Sequence, residues 1–246
     1  HDGYVDFSSP KDNGCCGAAP CAGTFRTTLG VEKSQVLLST TAIMTAILLF
    51  IKHHFHWIWH IIEELNGLIF NWRYPSLQST TNHILKSEDE KVPLDLHWSI
   101  VEADDLPLLA QWLQQLPKTS LQFFHPHSFE TEELKRLWKN PAFLFIKVCK
   151  TNDPRNIVGY HFLRGFFIGR AFHGLLVDPS MGGQGIGGQM WRIAILISEA
   201  LKLDLYATIS DLNIASLKSA QKSAFLKEQR QLANDYRLYK VLGLRT

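Results

Sequence analysis

Leu175 to Met190 reads LLVDPSMGGQGIGGQM: an apolar run stopped at Asp178-Pro179, five glycines within seven residues, then a helix-like segment. Glycine this dense permits a backbone that turns sharply or approaches a ligand closely. A strand before and a helix after place these glycines at a helix N-terminus. There, unpaired N–H groups and about half a positive charge of helix dipole favour an anion. Phosphate or pyrophosphate is the expected ligand. Two familiar phosphate loops do not fit. A Walker loop needs Lys-Ser/Thr after its last glycine, and Gly187 is followed by Gly188-Gln189. A dinucleotide fingerprint needs G-x-G-x-x-G and an acidic residue at the end of the next strand. GIGGQM lacks that spacing, and LDLYATIS ends in Ser210 before Asp211.

Around this stretch the pattern is that of a mixed α/β domain over residues 94–246. DLHWSIVEA alternates as a short strand, and DDLPLLAQWLQQLP places Leu106, Leu109 and Leu113 on one helical face. ETEELKRLWKN predicts a second helix, ended by Asn140-Pro141. AFLFIKVCK and NIVGYHFLRGFF flank the turn-formers TNDPRN as a hairpin, and RAFHGLLVDP is a further strand. After the glycines come helix QMWRIAILISEALKL, strand LDLYATIS, helix NIASLKSAQKSAF and a last strand, DYRLYKVLG. The predicted order is β-α-α-β-β-β-α-β-α-β.

The first 93 residues differ in character. Residues 1–33, which contain CCGAAPC (Cys15, Cys16, Cys21), read as coil with reduced thiols. The chain opens on His1 rather than Met, as a fragment or processed product would. Ser34–Ile51 carries no charge over eighteen residues, the lower limit for a bilayer span. KHHFHWIWHIIEELNGLIFNWRYP follows, with Ile58, Ile61, Leu65 and Leu68 at helical spacing. Residues 34–74 therefore read as an apolar, aromatic helical appendage, either a membrane anchor or a hairpin packed on a partner or on the second domain. Residues 75–93 have a linker's composition. His56 and His60 stand i,i+4, but nothing completes a ligand set, and no metal is expected. A net charge of +2 with no basic run argues against nucleic acid.

LLVDPSMGGQGIGGQM resembles the pyrophosphate-binding motif of the GNAT superfamily of acyl-CoA N-acyltransferases, in which V-x-P leads into [Arg/Gln]-x-x-G-x-[Gly/Ala] and a long helix. Gly182 stands at the basic or amide position, and Gly185 and Gly187 at the two small ones. DLNIASLKSAQKSAF is similar to the second motif, N-x-A-S and a helix, with Asn213, Ala215, Ser216, Lys222 and Phe225 matching. Three positions depart from the pattern: Gly182, Ala220 where a thiolate-protonating Tyr is common, and Ala224 where Gly is usual. The resemblance implies a central mixed, mostly antiparallel sheet flanked by helices, with acetyl-CoA as co-substrate. The cofactor would lie against Leu176, Val177, Gly182, Gly183, Gln184, Gly185, Ile186, Gly187, Asn213 and Ser216. An acceptor amine would attack the thioester directly, so the enzyme would supply a base and an acid rather than a nucleophile.

His125 and His127, in the loop LQFFHPHSFE, and His173 on the strand entering the motif are the candidate bases; Tyr236, and behind it Tyr239, are candidate acids. FFHPHSF is similar to a stretch in family members associated with sugar and surface-polysaccharide biosynthesis, which implies an amino sugar or nucleotide sugar as the small-molecule acceptor. The competing expectation is a non-catalytic module that binds acyl-CoA or a partner protein, tethered through its N-terminal helices. The protein reads as cytoplasmic, with membrane association through residues 34–74 and homodimerisation both open.

Overall fold

Continuous apolar runs in FLFIKVCK and NIVGYHFLRGF, buried on both faces, build the centre of a seven-stranded sheet. The computed structural model describes residues 56–89 and 95–245. Cys15, Cys16, Cys21, His53, His54 and the uncharged run 34–51 lie outside the described residues. The helices are α1 (His56–Arg73), α2 (Leu77–Asp89), α3 (Leu106–Gln115), α4 (Lys118–Leu121), α5 (Thr131–Lys139), α6 (Ile186–Ala200) and α7 (Ile214–Ser223). The strands are β1 (Leu96–Ile100), β2 (Phe143–Lys150), β3 (Asp153–Phe166), β4 (Arg170–Val177), β5 (Asp204–Ser210), β6 (Ala224–Gln231) and β7 (Tyr236–Leu244). Residues from Leu65 onward belong to one compact unit, and His56–Glu64, the first half of α1, belongs to a second.

Strand order is β1-β2-β3-β4-β5-β7-β6, antiparallel throughout except for the β4–β5 pair. Each face of the sheet carries a core. On one face Leu109 and Leu113 of α3 and Leu134 of α5 are fully buried with Phe145, Tyr160 and Leu176. On the other, Met190, Ile193, Ala194 and Ile197 of α6 pack with Ile146, Leu163, Ala171 and Leu205. Full burial of each such side chain stabilises the fold by about 1.5–3 kcal/mol.

Besides the single added turn α4, two elements differ from the sequence expectation. Residues 77–89, expected as linker, form α2, which buries Leu77, Thr81, Ile84, Leu85 and Glu88 at helical spacing. Its polar sequence hides one decisive contact: the Glu88 carboxylate, 2% exposed, accepts from Arg192 Nε at 2.6 Å and Gln189 Nε2 at 3.0 Å on α6. Asp89 then accepts from Trp98 N at 3.1 Å, which ties the helix end to β1. The second difference is β6. AFLKEQRQ is mostly exposed and lacks apolar alternation, so the register with β7, rather than burial, makes it a strand.

Candidate functional site

The β4–β5 ladder pairs only Arg170 with Asp204, Ala171 with Leu205 and Phe172 with Tyr206. Beyond those three pairs the strands part. His173–Val177 keep β3 on their other edge, through Leu163–His173 to Gly159–Val177, and Ala207–Ser210 keep β7. The result is a wedge within the sheet, and each wall has one edge without a neighbouring strand.

β4 feeds directly into the glycine loop. Asp178 Oδ1 accepts from Ser180 N at 2.9 Å and Ser180 Oγ at 2.6 Å, which fixes the turn at Pro179. Gly183 and Gly185 have φ of +78° and +84°, and a Cβ on either would meet nothing within 4 Å. The left-handed backbone excludes most L residues without strain, and the open space is room for a ligand. Gly185 is the N-cap of α6, no side chain caps the helix, and its first turn holds no carboxylate. Gln189 N bonds Gly185 O, whereas the N–H groups of residues 183–188 have no hydrogen-bond partner among the described residues. Six successive open donors at an uncapped helix N-terminus form an anion cradle.

Gly187 and Gly188 serve a different purpose. A Cβ there would stand 3.2 Å from Ser219 Oγ and 3.3 Å from Ser223 Oγ, so these glycines let α7 lie close against α6. Gly182 has an ordinary φ of −59°, and a Cβ would come within 3.2 Å of Pro179 O. Gln184 points its amide at Met181 Sδ, 3.7 Å away. Ile186 is buried and roots the helix start in the core. Asn213 is the N-cap of α7, its side chain accepting from Ser216 N at 3.0 Å, and its amide nitrogen keeps no partner among the described residues.

The candidate bases are divided between the two faces of the sheet. The Phe172 and Tyr206 rings stack at 5.5 Å, so the face bearing them also carries Gly174 and Leu176 of β4. Ser210–Tyr236 is a register pair of β5 and β7, so Tyr236 shares that face. The loop between α4 and α5 reaches the same place: a Cβ on Gly174 would lie 3.3 Å from Phe124. The exposed His125 follows Phe124 directly. The structure thus gathers His125, Leu176 and Tyr236 on the face that the loop covers. Burial raises the Tyr236 hydroxyl pKa above its ordinary value.

His127 is committed elsewhere. Its Nδ1 lies 2.9 Å from the Ser128 carbonyl, which can only accept, so Nδ1 carries the proton. Nε2 then accepts from the Tyr160 hydroxyl at 3.0 Å. Burial holds the ring's pKa below the usual histidine value, and Phe129, Phe145 and Phe162 surround it. His173 lies on the opposite face, 6% exposed, with ring centroids 4.2 Å from Trp191 and 5.4 Å from His161. Among the described residues neither nitrogen of His161 or His173 has a partner. Burial holds His161 at about 3 and His173 well below its ordinary value. Sequence reading missed Tyr160, and only the aromatic density of GYHFL hints at its place.

Among the described residues no cluster of three metal-ligating side chains occurs, and no helix is long and apolar enough to cross a membrane. A scan against protein-family profiles finds no match, and neither does a sequence search of curated proteins. Solved structures do match. The GNAT domain of S. lividans PAT superposes with a TM-score of 0.50 at 12% identity, covering 59% of this chain and 89% of that one. A putative acetyltransferase from Salmonella typhimurium with its cofactor acetyl-CoA gives 0.44 at 13% identity, covering 60% and 92%. A spermidine N-acetyltransferase from Vibrio cholerae in complex with CoA and spermine gives 0.45 at 15% identity, covering 60% and 94%. With its single parallel β4–β5 pair, the wedge below it and the glycine loop above α6, the chain has the fold of a GNAT acetyltransferase domain.

Proposed function

We propose that the protein is an acetyl-CoA-dependent N-acyltransferase acting on the primary amine of a small molecule. The run of open amides at residues 183–188 beside the β4–β5 wedge carries this reading. The donors fit a pyrophosphate: they are uncapped, no carboxylate competes with them, and Gly183 and Gly185 leave space in front. The free edge of β4 at Leu176–Val177 offers backbone groups to the amides of a pantetheine arm, and Asn213 Nδ2 is left to donate to it.

In the reaction the amine lone pair forms the new N–C bond at the thioester carbonyl, and the C–S bond breaks. The proton lost by nitrogen balances the one gained by the thiolate. His125 is the base on this reading, because its ring is exposed on the covering loop and unengaged among the described residues. His127 holds that loop through Ser128 and Tyr160. Tyr236 is the candidate proton donor. An amino sugar or nucleotide sugar is the proposed acceptor, on the strength of the FFHPHSF stretch alone.

A second reading, a non-catalytic acyl-CoA-binding module, draws on one observation: Ala220, at the position of the usual acid, is completely buried and offers no hydroxyl. Thermal unfolding with acetyl-CoA and with CoA, followed by thiol release across a panel of amines, separates the two. Stabilisation with thiol release supports the transferase. Stabilisation without release on any amine supports the module, and no stabilisation at millimolar cofactor removes both.

A further inference from the structure

Helix α1 has two faces of opposite fate. Asn66, Phe70 and Arg73 dock onto the sheet: Asn66 donates to Gly165 O at 3.0 Å, Phe70 is fully buried, and Arg73 donates to Phe167 O at 3.0 Å. The opposite face presents Leu65, Leu68, Ile69 and Trp72 at i, i+3, i+4 and i+7, with Leu68 64% and Trp72 84% exposed. The β3–β4 hairpin tip continues this surface, since Phe167 and Ile168 are also exposed. Phe167 N donates to Asn66 Oδ1 at 3.0 Å, so the helix holds the tip in place. Four of the six large apolar side chains thus share one stripe of α1, and Arg73 stands between that helix and the tip that carries the other two. Soluble monomers seldom leave a contiguous patch of this kind uncovered.

We propose that this patch lies in the interfacial layer of a lipid bilayer. The chain outside the described structure points to that occupant. Ser34–Ile51, eighteen residues without a charge, ends fourteen residues before Leu65, and Lys52 and three histidines follow it. An uncharged run of that length reaches the lower limit for a bilayer span, and a chain that leaves hydrocarbon passes through the headgroup layer. Trp is the residue that layer favours, and an amphipathic helix beside it buries its apolar face among the upper acyl chains. Arg73, which donates to Phe167 O, and Arg170, which follows the tip, are both exposed and would meet lipid phosphates.

The arrangement also leaves the proposed cofactor site in water. The hairpin tip begins β4 and the glycine loop ends it, so eight residues of strand separate patch from loop, roughly 25 Å at about 3.3 Å per residue. The docking proposal is therefore independent of the acyl-CoA reading.

The test reconstitutes the full chain into phosphatidylcholine vesicles, with and without lipids brominated on the upper acyl chain. Trp72→Phe isolates one tryptophan of seven by difference. The expected result is that the Trp72 component loses more than half its emission to the bromolipid and resists aqueous acrylamide. A component open to acrylamide and untouched by bromine overturns the proposal. So does a component shielded from both in a chain that crosslinks as a dimer, because a second copy would then cover the patch. Failure of the chain to associate with vesicles overturns it too. Melting temperature and CoA-induced stabilisation are expected to be unchanged in Trp72→Phe. If CoA has no effect on either chain while Trp72 is quenched, only the acyl-CoA reading fails.

Discussion

Gly185→Asp is expected to leave the fold standing while it removes cofactor binding, and the structure sets the size of both effects. Gly185 has φ +84°, with nothing within 4 Å of a Cβ. Aspartate tolerates that backbone better than most residues, so strain costs about 1 kcal/mol. A carboxylate at a helix N-terminus returns about 0.3–1 kcal/mol through the dipole. The unliganded melting temperature should therefore move by no more than about 4 °C. Ligand binding fares differently. Each hydrogen bond from an amide to a charged phosphate contributes about 1.5–3 kcal/mol, and the new carboxylate takes up or repels at least two of them. The loss is about 3–6 kcal/mol, roughly a hundred- to ten-thousand-fold in affinity. At a CoA concentration about a hundred times the wild-type Kd, the wild type gains about 2.7 kcal/mol, a rise of about 5–11 °C. The variant should gain about 1 °C or less. Gly185→Ala is the control: strain lowers its baseline by about 1–2 kcal/mol, yet it keeps most of the ligand-induced rise because it brings no charge. The reasoning is refuted if Gly185→Asp keeps a CoA-induced rise within about 2 °C of the wild type.

Acid should destabilise the protein through its buried histidines. Burial holds His161 at about 3 and His173 well below 6.5 in the fold, whereas the unfolded chain takes up those protons near 6.5. Their contribution is intact above pH 6.5 and is lost as pH falls toward the folded values; for His161 alone the loss at pH 5 is about 2 kcal/mol. Urea unfolding at pH 7.5 and 5 checks this, and His161→Phe should narrow the difference by about that amount. His127→Ala should cost about 2–4 kcal/mol, because it leaves the buried Tyr160 hydroxyl without a partner and opens a cavity. His125→Ala should stay within about 0.5 kcal/mol of wild type yet lower turnover at saturating cofactor; unchanged turnover on an amine that wild type acylates excludes His125 as the base. Gly165→Ala places a Cβ 2.3 Å from the Phe70 ring. It should cost about 1–3 kcal/mol and raise hydrogen exchange in residues 65–73 before it does so in β2 and β3.

Most of the 94–246 fold was legible because its signals are local. LLVDP followed by glycines marks a strand, a turn and a helix start within sixteen residues, and Leu106, Leu109 and Leu113 mark α3 by their own spacing. What escaped depends on distant partners. Glu88 sits in KSEDE, which reads as a solvated run, and Arg192 and Gln189, about a hundred residues later, offset the cost of its burial. β6 depends on β7 in the same way. At the candidate site, sequence names the histidines but cannot assign their faces. His173 and Gly174 are neighbours, yet one meets Trp191 in the α6-side core and the other meets Phe124 under the covering loop. A one-residue step along a strand reverses the face, and the strand's register is fixed by pairing partners elsewhere.

The same reasoning changes how two positions in and after the glycine loop fit together. Gly188 and Ala220 look unrelated in sequence, one the last glycine of the loop and the other standing where the resembled motif commonly has a tyrosine. In the structure both belong to the packing of α7 on α6. Ser219 and Ser223 sit where a side chain on Gly187 or Gly188 would stand, and Ala220 between them is completely buried in the cluster that holds Met190, Trp191 and Ala194. A phenol at Ala220 would have to enter that closed contact, and the glycines give α7 no reason to stand farther off. The close helix pair thus keeps α6 and its open N-terminus in place, with Gly187 and Gly188 facing Ser219 and Ser223. It follows that position 220 offers no proton to a thiolate, and on the proposed function the donor is sought at Tyr236.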